Sequence, residues 1–306
     1  MNQYCLITHI ADPDGAFPII LMKLVFPNTD VYSCEVKEVD DILKDVLQKE
    51  YEKIYIVDLN MSEEMAKVVE ETAREKVEVY DHHESNLDLN RYSFEHVVVK
   101  NGEKKECGTT LFYEYLKQKT NHPIFEKEVL KQMMELVREN DTFDFIEEYK
   151  QDAIHFRMLY DIYGREAYIE HFFNYILEND TFQLTEIEKA TIDVLEKQTE
   201  RYITEKLEHV KFATIDGVKV GIVFAEQHRS ILGNRMAELY QDKIDIAILI
   251  NVDRSVSYRA IKPDININVL AQKYNGGGHK HAGGSPLPHD LQSQIIKLLF
   301  KESEIL

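Results

Sequence analysis

Lys76-Val77-Glu78-Val79-Tyr80-Asp81-His82-His83-Glu84 is the stretch from which the fold is read. Apolar residues alternate through Val77 and Val79 to Tyr80, and the run then stops at an acid and two histidines. A buried strand that ends in this way delivers its side chains to the carboxyl edge of a sheet, where open α/β folds keep their ligands. Two other runs end alike. Tyr4-Cys5-Leu6-Ile7-Thr8-His9 opens into Asp12, Asp14 and Gly15, and Lys53-Ile54-Tyr55-Ile56-Val57 stops at Asp58. Helical stretches separate the three, so right-handed crossovers make the strands parallel and gather their C-terminal ends in one crevice. His9, Asp12, Asp14, Asp58, Asp81, His82 and His83 would share it, and so many carboxylates cannot all ionise without cations between them. Imidazole mixed with carboxylate suits a divalent ion of intermediate hardness, Mn²⁺ first, with Mg²⁺, Co²⁺ or Zn²⁺ behind it.

The first hundred or so residues alternate strand and helix, which predicts a doubly wound, mostly parallel α/β domain. An apolar helix is expected over 17–25 with Pro18 in its first turn, a strand over 31–34, a helix over 40–48, a helix over 61–75 capped by Ser62, and an edge strand over 94–99. From Gly108 to about Leu177 the pattern is helical, and Glu139-Asn140-Asp141-Thr142 interrupts it with a polar cluster that can present Asp141 to the crevice. The first domain is therefore drawn at 1–184. A charge-rich helical connector follows at 185–209, then a smaller α/β domain at 210–306. In that domain Asp216-Gly217 between two apolar runs signals a hairpin. A helix over 230–240, strands over 244–251 and 255–261, and a segment over 267–274 lead into Asn275-Gly276-Gly277-Gly278-His279.

At 306 residues the chain can bury a full core. Cys5, Cys34 and Cys107 are widely spaced, with no C-x-x-C pair, as expected of free thiols in a reducing cytoplasm. No leader or apolar span stands out, so a cytoplasmic protein without a membrane partner is expected, as a monomer or homodimer. Lys plus Arg number 36 against 55 Asp plus Glu, a formal charge of −19. That balance works against tracking along a long polyanion, and any nucleic-acid substrate should be short.

Two divalent ions sharing a carboxylate can activate and orient a water and neutralise a phosphate oxygen. His9, Asp12 and Asp58 would hold one ion, while Asp14, Asp58, His82 and Asp141 hold the other, with Asp58 as the bridge. Asp81 would fix a histidine tautomer or a bound water. His83 would contact the scissile phosphate or give a proton to the leaving oxygen. Gly276, Gly277 and Gly278 permit backbone dihedrals closed to other residues, so their N–H groups can converge on an anion beside His279. Arg259 is a candidate for paired hydrogen bonds to a phosphate or carboxylate. Taken alone, Asp12-Pro13-Asp14-Gly15 would be an ordinary turn.

His9-x-x-Asp12-x-Asp14-Gly15, Asp58, Asp81-His82-His83, Asp141 and Gly276-Gly277-Gly278-His279, in this order, resemble the motifs of the DHH phosphoesterase superfamily with its associated C-terminal domain. The likeness spans residues 9 to about 284. It implies a two-Mn²⁺ phosphoesterase. The compact chain is most similar to the nano-RNase and 3′-phosphoadenosine-5′-phosphate phosphatase group, although that group usually has one more residue between the first His and Asp. The resemblance implies release of mononucleotides from very short oligonucleotides, with 3′-phosphoadenosine-5′-phosphate as a further substrate. A cyclic dinucleotide phosphodiesterase, an inorganic pyrophosphatase and a non-catalytic nucleotide sensor are the alternatives.

Overall fold

A computed structural model of the protein describes residues 3–142, 151–278 and 280–300. The chain divides into two compact units, Met1–Ile192 and Asp193–Leu306. Among the described residues no helix is long and apolar enough to cross a membrane.

The first unit is built on five parallel strands, β1 (Tyr4–His9), β2 (Thr29–Cys34), β3 (Lys53–Val57), β4 (Val77–Asp81) and β5 (Glu95–Val97), in the order β2-β1-β3-β4-β5. The order reverses between β1 and β3. Crossovers leave those two strands in opposite directions, the arrangement in which open α/β sheets keep a crevice at the carboxyl ends.

Both faces of the sheet are covered, which is why the strand sequences are apolar almost throughout. Cys5, Ile7, Ile54, Ile56, Val77 and Val79 pack against Val39, Leu43 and Val46 of α2 (Val39–Leu47) and Met65, Ala66 and Val69 of α3 (Glu63–Thr72). Leu6, Tyr55, Val57 and Tyr80 face the other way, toward α1 (Pro13–Val25) and a helical layer of α4 (Gly108–Thr120), α5 (Glu128–Asp141), α6 (Gln151–Tyr163) and α7 (Arg165–Glu178). Helix α1 lies within this core, and its residues from Pro13 to Met22 are all buried. That explains its lack of a polar stripe.

Helix α1 begins four residues earlier than its apolar run suggests. Asp12 is its N-cap, accepting a hydrogen bond from Gly15 N at 3.0 Å, and Pro13 occupies the first turn. The Asp-Pro-Asp-Gly segment is thus the start of the helix and not a loop before it, and Pro18 sits inside the helix.

Residues expected to form a separate connector make one helix, α8 (Glu186–Glu208), and the division between the units falls within it. Ile192 is buried in the core of the first unit and Ile203 in that of the second. After β5 the first unit also carries a short antiparallel pair, β6 (Lys100–Asn101) and β7 (Lys104–Lys105). The second unit holds a six-stranded sheet. Its strands are β8 (Lys211–Ile215), β9 (Val218–Phe224), β10 (Ile246–Asn251), β11 (Ser255–Arg259), β12 (Gly277–Gly278) and β13 (Ala282–Pro286), in the order β12-β13-β11-β10-β9-β8. Asp216 and Gly217 turn the β8–β9 hairpin with φ of 52° and 82°, as the sequence predicts. Helix α9 (Arg229–Leu239) carries the chain from β9 to β10, the one parallel pair of this sheet.

Candidate metal centre

The site is assembled from strand ends and two helix starts. His9 closes β1, and its Nδ1 lies 3.2 Å from Asp12 Oδ2 and 3.5 Å from Asp58 Oδ2. The chain doubles back so tightly that a Cβ at Gly15 would collide with the His9 carbonyl oxygen, which only glycine avoids. Arg165 and Tyr160 hold this bend from outside. Arg165 Nη1 donates to Ile10 O at 2.8 Å and Nη2 to Ser33 Oγ at 2.8 Å and Gly15 O at 3.2 Å, while Tyr160 donates to Ile10 O at 2.9 Å. Neither residue stood out in the sequence, because each acts on a backbone about 150 positions away.

Asp14 is 1% exposed on the first turn of α1. Its two carboxylate oxygens accept the first amides of α4, Gly108 N and Thr109 N, each at 2.8 Å. The start of α4 is a natural acceptor of negative charge. Thr109 does a second job. Pro18 has no N–H to give the Asp14 carbonyl four residues earlier, and Thr109 Oγ1 donates to that carbonyl instead, at 2.7 Å.

Asp58 follows β3 in a left-handed conformation, φ 59°, and is 3% exposed. His82 Nε2 lies 3.3 Å from Asp58 Oδ1, 3.2 Å from Asp141 Oδ2 and 3.9 Å from Asp14 Oδ2, so one imidazole faces three carboxylates. Asp141 is the last residue of α5, and its Oδ2 is buried and accepts no hydrogen bond.

Asp81 ends β4 fully buried and is surrounded by donors. Its Oδ1 accepts from His82 N (2.7 Å), His83 N (3.2 Å) and His83 Nδ1 (2.7 Å). Its Oδ2 accepts from Asn86 Nδ2 (2.6 Å) and Asn60 Nδ2 (3.2 Å). Burial works to raise this carboxyl, but the His83 and Asn86 hydrogen bonds outweigh it and the group is held below its usual range. With Nδ1 on Asp81, His83 keeps Nε2 for other work on a half-exposed ring.

Three overlapping trios bring ligand atoms within 4.8 Å of one another: His9, Asp12 and Asp58; Asp14, His82 and Asp141; and Asp58, His82 and His83. Their electrostatics are those of a cation site. Burial, then Asp58 and Asp141, push Asp14 well above the ordinary carboxylate range, and burial raises Asp141 to about 6. Asp58 goes the other way, to about 2, because hydrogen bonds from His82 and His9 outweigh its burial. His9 is raised to about 10 by Asp12 and Asp58. His82 also rises to about 10 as Asp58, Asp14 and Asp141 overcome its burial. Buried carboxylates that repel one another, a buried carboxylate oxygen without a donor, and imidazole nitrogens among them fit a divalent ion with oxygen and nitrogen ligands.

The residues expected to grip phosphate lie in the second unit. Arg259 donates from Nη1 to Tyr258 O (2.8 Å) and from Nη2 to Ser230 Oγ (2.9 Å). Arg229 donates from Nη1 to Ser255 Oγ (3.0 Å) and Ser257 Oγ (3.2 Å). Neither has a carboxylate partner among the described residues. Burial and then Arg229 lower the Arg259 pKa from its usual value. Gly276 N donates to Ala271 O at 2.9 Å, and Gly277 and Gly278 pair with Gly284 and Gly283. At Gly276 and Gly278 a side chain would strike the backbone of β13, so these glycines serve close strand pairing. His279 lies outside the described residues.

No protein-family model matches the chain. The oligoribonuclease NrnB of Bacillus subtilis (strain 168) is 27% identical over an alignment of 308 positions, which covers 98% of this chain and 76% of NrnB. In fold the chain is similar to the pGpG-specific phosphodiesterase PggH from Vibrio cholerae (TM-score 0.55, 17% identity, 98% of each chain). It is also similar to the exonuclease RecJ in a manganese-bound crystal structure (TM-score 0.51, 14% identity, 96% of this chain and 88% of RecJ). The Asp-His-His strand end, the acids and His9 at the sheet's switch point, and likeness to NrnB along 98% of this chain make it similar to members of the DHH phosphoesterase superfamily.

Proposed function

We propose that the protein is a divalent-metal-dependent phosphoesterase that hydrolyses very short oligonucleotides to mononucleotides. The observation that carries this reading is the set of interlocking trios around Asp58 and His82 at the carboxyl ends of β1, β3 and β4. Likeness to an oligoribonuclease along 98% of the chain favours short oligonucleotides within the phosphoesterase class. The formal charge of −19 agrees with it, since long polyanions would be repelled.

In this reading His9, Asp12 and Asp58 hold one ion and Asp14, Asp58, His82 and Asp141 the other. Mn²⁺ is the preferred metal, with Mg²⁺ or Co²⁺ able to replace it. The bound ions supply an activated water and neutralise charge on the scissile phosphate. The protein does the rest. The α4 amides and the Arg165 clamp set the Asp14 and His9 ligands before any metal arrives. Asp81 holds the Nδ1 proton of His83, leaving Nε2 to contact the phosphate or protonate the leaving oxygen. Arg259 and His279 grip a substrate phosphate, while Gly276, Gly277 and Gly278, whose expected amide nest gives way to the bond to Ala271 and to pairing with β13, serve the strand next to them. The 3′-phosphate of 3′-phosphoadenosine-5′-phosphate offers the same chemistry and is a second substrate.

The test is a panel with Mn²⁺ and chelator controls: 5′-phosphorylated RNA from dimers through tens of nucleotides, 3′-phosphoadenosine-5′-phosphate, cyclic di-AMP and pyrophosphate. Fast mononucleotide release from dimers to pentamers, fading with length and lost in His82→Ala, is expected. Preference for cyclic di-AMP or pyrophosphate would overturn the substrate class, and no turnover of any of them would make the protein a nucleotide-binding sensor.

A further inference from the structure

Below the proposed metal site runs a line of buried polar side chains for which the reading above has no use. Asn60, two residues past Asp58, is 6% exposed. One of its Nδ2 protons goes to Asp81 Oδ2 at 3.2 Å and the other to Glu95 Oε2 at 2.9 Å, while its Oδ1 accepts from Met61 N at 2.8 Å. Glu95 is the first residue of the edge strand β5, opposite Val79 of β4, and is 5% exposed with no ion pair among the described residues. Its Oε1 is buried and has no partner. A core carboxyl that is neither ion-paired nor fully hydrogen-bonded is costly, and packing alone would favour an apolar residue there.

What Glu95 does is fix the amide. With acceptors on two different strands, Asn60 must present its NH₂ group between them, because a flipped amide would set Oδ1 against two carboxyl groups. Asn60 and Asn86 then hold Asp81 through Oδ2, so that Oδ1 stays aimed at His83 Nδ1 at 2.7 Å. The same Asn60 sits on the loop that carries Asp58. It thereby couples the end of β3 to the end of β4.

We infer that Asn60 is a positioning residue for His83, acting through Asp81, and that Glu95 sets the orientation of the Asn60 amide. The inference rests on the phosphoesterase reading only for what His83 does in turnover. How His83 is held is a separate matter and can be measured without substrate.

The experiment uses full-length protein labelled with ¹⁵N-histidine, with the His83 ring signals identified by their loss in His83→Gln. In wild type and Glu95→Gln, which keeps an acceptor for the amide, His83 should show one tautomer protonated at Nδ1. In Asn60→Ala, in Asn60→Asp and in Glu95→Leu, His83 should shift toward a mixture of tautomers. On short 5′-phosphorylated RNA with Mn²⁺, kcat should fall about 10- to 100-fold in the Asn60 variants with KM changed less than about threefold, and Glu95→Gln should stay close to wild type. Unchanged His83 signals in a folded Asn60 variant, or in Glu95→Leu should the Asn60 variants not fold, would overturn the inference. So would a fall in kcat that Glu95→Gln shares fully. If wild type turns over no substrate, the phosphoesterase reading fails while the ring signals still decide how His83 is held.

Discussion

Gly108 and Asp58 stand backbone to backbone: a Cβ built on Gly108 would lie 2.7 Å from Asp58 N and 2.8 Å from Asp58 Cα. This approach lets the first turn of α4 reach past the left-handed Asp58 and spend its free amides on Asp14. Two acids that come from different strand ends are thus set by a third element about 50 to 95 residues further on. The acidic cluster is built into the packing of the first unit and does not depend on flexible side chains finding one another.

Gly108→Ala should therefore damage the site from outside it. The added methyl meets backbone, which cannot swing aside as a side chain can, and overpacking of this kind costs about 1–3 kcal/mol. A lower urea midpoint is expected, together with Mn²⁺ binding weakened at least about tenfold, as a shifted Asp58 or Asp14 misplaces a ligand. Wild-type Mn²⁺ affinity in this variant would show that the close approach does not matter to the ligands.

Thr109→Val should leave the Asp14 carbonyl buried without a donor, at about 1–3 kcal/mol, while Thr109→Ser keeps the hydroxyl and most of the stability. Pro18 supplies the control. Pro18→Ala restores an N–H four residues after Asp14, so the double variant should recover part of what Thr109→Val loses. Strictly additive unfolding free energies in this cycle would rule the coupling out.

The parts of the molecule legible in the sequence are those whose signal is local. The β-branched and aromatic runs ending at His9, Asp58 and Asp81 fixed three strands and the edge where they finish, and Asp216-Gly217 carries its hairpin in two residues. The start of α1 was not legible, because Asp12-Pro13-Asp14-Gly15 suits a turn and a helix start equally, and burial against α4 chooses the helix. Arg165, Thr109, Gly108, Asn60 and Glu95 were missed for one reason: each matters through a partner far along the chain, and no spacing rule records that. The glycine run shows the converse. Its composition suggested a nest of amides for an anion, whereas the Gly276 amide is taken by Ala271 and the next two glycines pair with β13.

Glu95 should leave a mark on the pH dependence of stability. Burial and, to a lesser degree, Asp81 raise its carboxyl to about 7 from an ordinary 4.5, although the Asn60 hydrogen bond opposes them. The folded state therefore binds this proton more tightly than the unfolded chain does. Its contribution is fully present below about pH 4.5 and is lost as pH rises through about 7, on the order of 3 kcal/mol at most. Glu95→Gln cannot ionise and should lack that slope. Urea unfolding at pH 5 and pH 8 is expected to show the variant gaining on wild type as pH rises, and parallel pH profiles for the two proteins would refute the shifted carboxyl.

Removing ligands one at a time should separate the two proposed ions. Asp12 belongs to one trio only, whereas Asp58 takes part in two of them and faces both His9 and His82. Metal analysis after equilibration with Mn²⁺ should give two ions per chain in wild type, one in Asp12→Ala, and fewer than one in Asp58→Ala. Ions bound as proposed would favour the folded chain and relieve repulsion among buried carboxylates, so saturating Mn²⁺ should raise the melting temperature of wild type, by the equivalent of about 2.7 kcal/mol per ion at a hundredfold excess over Kd. The rise should shrink in Asp12→Ala and nearly vanish in Asp58→Ala. Loss of the bridging carboxylate also removes one acid from a crowded cluster, so metal-free Asp58→Ala need not be less stable than metal-free wild type. Equal metal content in the two variants would refute Asp58 as the shared ligand, since a bridge must matter to both ions and Asp12 to one.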